Sequence, residues 1–371
     1  MKIDRREFLK TAGALVVGFS FAGTTGAKSG PGTLLPAKTV DKEALDAWLA
    51  IGRDGRVTVY SGKVDLGTGT RTALAQIAAD ELDVAFDKIE MVMGDTGATP
   101  DQWLTGANLT IAQGGAELRR AAASARAALI ERAAQRLGVA AGELAVSDGI
   151  VSVKSDAARR VAYTDLIGNG FSIKVDPKIA VKKHTDYKVV GKSIKRVDIP
   201  GKVTGAWDYV HDLRLPGMLH ARVIRPEIFG AKVATVDDTA ARKVSGFTAT
   251  VRKGDFLAVV AKTEWAAIKA ARALNVTWSG GVALPAKATV FETWRKRPMA
   301  KKDATQKTGD AVAALATSAR TVKASYDFAV QTHASLGPSC AVADFKDGKL
   351  TLWTASQATH SMQTEVAAIT G

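Results

Sequence analysis

The sequence predicts an α+β protein with at least two cores, and three observations carry that expectation. Strand-like alternation and helical periodicity interleave along the chain, the element style changes near Thr204, and 46% of the 371 residues are hydrophobic, which is ample material for separate cores. The elements follow in order. Residues AWLAI (47–51) and RVTVYSGKV (56–64) read as two strands of a hairpin with Asp54-Gly55 at its tip. Gly67-Thr68-Gly69 follows, and TRTALAQIAADELDV (70–84) places Leu74, Ala78 and Leu82 at helical spacing. KIEMVMGD (88–95) alternates like a strand, and residues 94–115 form a long loop. A helix from Ala116 to about Leu137 carries Leu118, Ala122, Ala125, Leu129 and Ala133 on one face, with Gly138 as its C-terminal stop. LAVSDGIVSV (144–153) reads as a hairpin about Asp148-Gly149, and Tyr163–Ile167 as a short helix.

Phe171 to Val203 is rich in lysine, contains Pro177 and Pro200 and lacks helical periodicity, so an extended connector is expected there. Beyond it come the strands AWDYV (206–210), GMLHARVIR (217–225), FTATV (247–251) and FLAVVA (256–261). The helix TEWAAIKAARAL (263–274) and the strand NVTW (275–278) complete that block. A basic, alanine-rich connector spans about 281–320. Strands are then expected around ASYDF (324–328), CAVADF (340–345) and KLTLWTAS (349–356), with a helix from about His360.

Charge and cysteine content narrow the function. The net charge of +14 raises the prospect of a nucleic-acid or membrane-surface partner. The cations are spread along the chain, however, and aromatics are only 6% without regular interleaving, so no nucleic-acid groove is expected. One cysteine, Cys340, excludes an internal disulfide, a cysteine-ligated iron-sulfur cluster and a four-cysteine zinc site within this chain. Between apolar neighbours it reads as a buried inert thiol. The five histidines show no pair at metal-ligand spacing, and no metal ligand is assigned. Asp80 and Glu81 read as a solvated face or as pairing residues rather than catalysts.

The first thirty residues read as an address. Arg5-Arg6, then Phe8-Leu9-Lys10 and an apolar run from Ala12 to Ala22, resemble a twin-arginine export signal with cleavage after Ala27. The apolar run is shorter than the roughly 20 residues a bilayer span needs, so no transmembrane span is expected. The expected location is the periplasm, reached in the folded state, which favours a buried cofactor.

Gly67-Thr68-Gly69 at a strand-to-helix turn suits the close approach of an anionic group to main-chain N–H groups at a helix start. A plain tight turn remains the alternative, since the third glycine of a dinucleotide fingerprint and the lysine of a phosphate-binding loop are both missing. Four stretches together resemble a known family. GKVDLGTGTRTALAQIAADELDV, the GDT before Pro100 and TGANLTIAQGGAELRRAAA are similar to the cofactor-binding region of molybdopterin hydroxylases of the xanthine dehydrogenase and aldehyde oxidase family. Residues 201–226 and 245–278 resemble that family's a/b hammerhead domain, and residues 324–345 with 351–361 the opening of its main molybdenum-binding domain. The block order is that of the isoquinoline oxidoreductase and nicotinate dehydrogenase branch.

The resemblance implies mixed-sheet molybdopterin-binding modules flanking a hammerhead: a signal at 1–30, part of a cofactor domain at 46–170, connectors at 171–203 and 281–320, the hammerhead at 204–280 and the start of the main domain at 321–371. It implies hydroxylation of an aldehyde or N-heteroaromatic substrate with oxygen from water, by molybdenum on molybdopterin or its cytosine dinucleotide form. Implied partners are a small [2Fe-2S] subunit carrying the iron-sulfur clusters and, on the exported branch, a c-type cytochrome. The implied cofactor contacts are Gly67, Thr68, Gly69 and Thr70, then Thr105, Gly106, Ala107, Asn108, Gln113 and Gly114, with Gln357 hydrogen-bonding beside the metal. Thr68 stands where many relatives carry glutamine, and ANLT replaces a serine-rich loop.

The family's late glutamate base and glycine-rich segment find no counterpart before Gly371, so the catalytic residue is unassigned. The expectation is therefore an incomplete large subunit, nearly inert alone, because a general base is worth about 100- to 10,000-fold in rate. The competing expectation is a non-catalytic exported binding or assembly module that keeps the hammerhead and the cofactor cradle.

Overall fold

The structure, a computed structural model, describes residues 40–167, 173–298 and 308–370; the expected export signal at 1–30 lies outside them. The chain divides into two compact units. One is the chain up to Leu213 together with the stretch from Ser339 on, and the other is Arg214–Pro338.

In the first unit, β1 (Leu49–Ile51) and β2 (Val57–Ser61) form the expected antiparallel hairpin, and β2 pairs in parallel with β3 (Ile89–Met93). A parallel pair needs a crossover, and α1 (Thr70–Leu82) supplies it. All five β2 residues are buried, as a central strand requires. The second long helix, α2 (Ala116–Leu137), packs on α1. Gly115, just before it, permits the close approach: a Cβ there would sit 3.0 Å from Ile77 Cδ1. The core combines Leu49, Ile51, Val57 and Val59 with Leu74, Ala78 and Leu82 of α1 and Leu118, Ala122, Leu129 and Ala133 of α2.

Gly138 adopts φ 65° and closes α2 as expected. Next come β4 (Leu144–Ser147) and β5 (Ile150–Val153), whose turn residues Asp148 and Gly149 both have positive φ, the geometry that suits a two-residue hairpin. An unforeseen strand, β6 (Asp156–Ala162), completes this sheet, and α3 (Tyr163–Leu166) follows. The buried Tyr163 hydroxyl donates to Leu82 O at 3.0 Å, and burial pushes that phenol's pKa up.

The expected connector is a strap tied to one face of α1. Thr72 Oγ1 accepts Val197 N, and Gln76 Nε2 donates to Val189 O and Lys192 O. Asp80 accepts the amides of Lys188, Val189 and Val190. These three side chains are spaced i, i+4, i+8 and so share one helical face. Glu81 accepts Lys182 N at 3.2 Å and pairs with Arg119 at 2.7 Å. Asp80 and Glu81 are 3% and 1% exposed, so they are not a solvated face: their carboxylates replace water as acceptors for the strap's main chain. The strap ends in α4 (Ile199–Val203). AWDYV is not a strand. Trp207 is held instead between the Arg71 and Lys202 cations, 5.6 and 5.2 Å from its ring centre.

In the second unit, β7 (His220–Ile224), β8 (Lys232–Asp237), α5 (Thr239–Arg242), β9 (Phe247–Lys253), β10 (Phe256–Ala261), α6 (Glu264–Ala273) and β11 (Asn275–Ser279) follow in order. They form one antiparallel sheet, β7-β10-β9, and a separate β8–β11 pair. The β8 strand was not foreseen. Thr263 caps α6 by accepting Ala266 N, and Ala266, Ala267 and Ala270 bury that helix against β10. The expected connector 281–320 contains two short helices, α7 (Val290–Lys296) and α8 (Ala311–Thr317), while residues 324–328 form no strand.

From Ser339 the chain belongs again to the first unit, with β12 (Ala341–Lys346) paired to β13 (Lys349–Thr354) and then α9 (Thr359–Thr370). Cys340, expected to be buried, is half-buried. Among the described residues no helix is long and apolar enough to cross a membrane.

Candidate functional site

The site is built where the end of β2 meets the loop after β3. Gln102 is 3% exposed and organises the base. Its Oε1 accepts Ser61 Oγ at 2.7 Å and Gly62 N at 3.0 Å, while its Nε2 donates to Glu117 Oε2 at 2.8 Å. The carboxamide thus ties β2 to the first turn of α2. The close approach of the 100–102 main chain depends on Gly62, where a Cβ would lie 2.0 Å from Pro100 O.

Above this base, Lys63 Nζ donates to Leu104 O at 2.7 Å and Val64 N donates to Thr105 Oγ1 at 3.0 Å. Thr105 in turn makes a reciprocal pair with Gln357, far along the chain: Thr105 N donates to Gln357 O at 2.7 Å, and Gln357 Nε2 donates to Thr105 O at 2.9 Å. The 105–108 loop and Gln357, distant in sequence, therefore form one surface. Gly106 is half-buried and its Cβ position lies 3.9 Å from Gln357 Nε2. Ala107 and Asn108 are exposed in left-handed conformation, with φ 46° and 63°. Trp103, also left-handed at φ 58°, is 62% exposed, its amide held by Asp101 Oδ1 at 2.8 Å. Left-handed backbone in a bulky residue is strained, and such strain gathers at functional loops.

Gln113 and Gly114 are not in a loop. They belong to a π-helical turn, Thr110–Gly115, continuous with α2, in which Gln113 is exposed and Gly114 buried. Such turns widen a helix locally and recur at functional sites.

The glycine bend precedes α1 as expected, with Gly67 and Gly69 at φ 90° and 81°. Gly67 and Thr68 are exposed, and nothing lies within 4 Å of a Cβ placed on Gly67. Its amides are not free for an anion, however. Asp65 Oδ1 accepts Gly67 N at 2.9 Å and Gly69 N at 3.2 Å, and Asp65 Oδ2 accepts Arg71 N at 3.0 Å. Arg196 donates to Gly67 O at 2.8 Å and lies against Gly69. Arg196 is itself fixed by Asp198, 2% exposed, whose carboxyl is held well below the usual carboxylate range by Arg196 and, opposing burial, by Lys202. The expectation that an anionic group meets these amides is corrected for Gly67, Gly69 and Arg71, because the protein's own carboxylate already takes their N–H groups.

Sequence reasoning missed Lys63, Asp65, Gln102, Glu117 and Arg196. An aspartate directly before a glycine bend and helix is a local capping signal and was legible. The others act across the fold and leave no local trace. Among the described residues no three His, Cys, Asp or Glu side chains gather to hold a metal.

With this geometry in view, comparison with known proteins places the chain. It belongs to the molybdopterin cofactor-binding domain family, which matches residues 4–206, and a second molybdopterin cofactor-binding domain matches residues 294–371. This agrees with the resemblance to the xanthine dehydrogenase and aldehyde oxidase family read from the sequence. The chain is 38% identical over 91% of its length to a nicotinate dehydrogenase subunit of Pseudomonas putida, covering 29% of that protein. It is 29% identical over 75% of its length to a membrane-bound, pyrroloquinoline-quinone aldehyde dehydrogenase of Gluconacetobacter polyoxogenes, covering 38% of it. It is 28% identical over 75% of its length to the beta chain of isoquinoline 1-oxidoreductase of Brevundimonas diminuta, covering 40% of it. The chain thus spans between 29% and 40% of the length of these relatives.

The residues present fit a polar, anionic cofactor in part. The Thr70 hydroxyl at the start of α1, and the Thr359 hydroxyl and His360 Nε2 at the start of α9, are buried without a hydrogen-bond partner. Each such orphan costs about 1–3 kcal/mol, which a bound polar group would recover. The exposed turn Ala107-Asn108 and Gln357 offer further polar groups. The Gly67, Gly69 and Arg71 amides do not fit, being taken by Asp65.

Proposed function

We propose that this chain is the cofactor-cradling part of a molybdenum hydroxylase large subunit. The observation that carries the reading is the Thr105–Gln357 pair, which joins stretches from both family-matched regions, 4–206 and 294–371, into one surface. On this reading, Thr68 and Thr70 of the bend, the 105–108 loop and the exposed Gln113 of the π turn hold the pterin or its cytosine dinucleotide extension. Gln357 orients the ligand through its carboxamide. When bound, molybdopterin with molybdenum supplies the redox and oxygen-transfer chemistry, with water as oxygen source. This chain's residues bind and orient; none is assigned as acid or base.

The names of the relatives support an N-heteroaromatic substrate, of nicotinate or isoquinoline type, with an aldehyde as the second choice. Electrons would leave through a separate [2Fe-2S] subunit and then a c-type cytochrome, since one cysteine cannot ligate a cluster. Residues 204–280 are assigned as the a/b hammerhead. Arg5-Arg6 and the apolar run behind them support folded export to the periplasm.

The test is molybdenum and pterin analysis of the protein, with all its subunits, purified from an export-competent host. Stoichiometric molybdenum and pterin are expected. Folded protein with neither, or with a quinone in their place as one relative's name would suggest, overturns the proposal.

A further inference from the structure

We propose that Lys63 is a positioning residue that shapes the cofactor-bearing loop from beneath, gripping Leu104 so that Thr105 meets Gln357 and the Gly106–Asn108 turn faces outward. The inference rests on the preceding reading of that loop. Lys63 is fully buried, unlike almost every lysine, and its ammonium donates to a main-chain carbonyl, Leu104 O, at 2.7 Å. Removing an ammonium from water is costly, and one neutral acceptor repays it poorly. The cost shows in the lysine itself: burial pulls its pKa below the usual value, against the opposing fields of Glu117 and Asp101. A methionine would fill the same space without that cost, so the donor is what the position retains.

The grip is double. Lys63 holds Leu104 by its side chain and Val64 holds Thr105 by its amide, so two consecutive residues just after β2 fix two consecutive residues of the loop. Thr105 then has both its amide and its carbonyl aligned for Gln357. The lysine is confined from the other side by Gly114 of the π turn, where a Cβ would lie 3.2 and 3.3 Å from Lys63 Cγ and Cε and 3.1 Å from Gln102 Nε2. The π turn, the lysine and the loop are therefore packed as one piece, and the glycine in the π turn leaves room for the lysine.

The experiment uses the full-length protein with its subunits and compares Lys63→Met and Gly114→Ala with the unaltered chain. Lys63→Met should keep its far-ultraviolet circular dichroism and the exchange protection of β2 amides. Its Thr105 amide should exchange at least about tenfold faster, and its pterin content should fall by a similar factor. Gly114→Ala removes a helix-weakening glycine yet crowds the lysine, so it should lose pterin without losing helix. If Lys63→Met fails to fold, Gly114→Ala alone decides. Normal pterin content with unchanged Thr105 exchange in both single variants overturns the proposal. An unaltered protein that lacks pterin overturns the parent reading instead, and Thr105 exchange still tests the grip.

Discussion

The glycine bend at 65–71 and the loop at 104–108 are both exposed and both have left-handed backbone, yet they are held in opposite ways. The bend closes on itself: Asp65, two residues ahead, takes its amides, and Arg196 of the strap takes a carbonyl. The loop is held from below and from afar by Lys63, Val64 and Gln357, besides its own Leu109 N–Gly106 O and Ala112 N–Asn108 O bonds, and no carboxylate closes over its exposed Ala107-Asn108 turn among the described residues. The difference shows that glycine at a helix start permits an anion but does not require one. What decides is whether a nearby carboxylate reaches the amides first.

The contrast breaks most sharply at Gln102. Replacing it by leucine strands Ser61, Gly62 and Glu117 under the loop, and chemical denaturation should show a loss of about 3 kcal/mol. The bend side is tested by Asp198→Asn, which unfastens Arg196 and should cost about 2 kcal/mol, the range for charge-assisted bonds. Since the Asp198 carboxyl is held below its unfolded value of about 3.9, its contribution is complete above that pH and is lost as acid lowers the pH through the folded value. Trp207 fluorescence should follow that loss in the unaltered chain and not in Asp198→Asn, and greater stability on acidification would refute the linkage.

Asp65→Ala should cost about 1–2 kcal/mol by freeing a helix start. It also sharpens the comparison: titrated with inorganic phosphate, the variant should gain a stabilisation that the unaltered chain lacks. Smallest is Gly67→Ala, where no atom crowds the new Cβ and only the left-handed backbone is strained. A loss near ~1 kcal/mol is expected, read from the thermal midpoint.

Much of the fold was legible because its elements are locally encoded. The apolar spacing in 70–82 and 116–137, the Asp148-Gly149 turn and the Gly138 stop each act within a few residues and appear where expected. β6 was missed because only Val161 is buried while its middle is exposed and charged, so it shows no apolar alternation. AWDYV misled because its aromatic residues read as strand formers, whereas Trp207 is fixed by cations from α1 and the strap. The sequence leaves Asp80 and Glu81 open between a solvated face and pairing because the strap that pairs with them lies about a hundred residues on.

The sequence by itself determined most of the elements, the family and the stretches that carry its signature, since periodicity, turn chemistry and motif order are properties of neighbours along the chain. Which residues meet was decided by tertiary structure alone. Gln357 reaches Thr105, Lys63 lies beneath Leu104 and Asp80 meets the strap because a buried polar group must find its partner wherever the folded chain brings one.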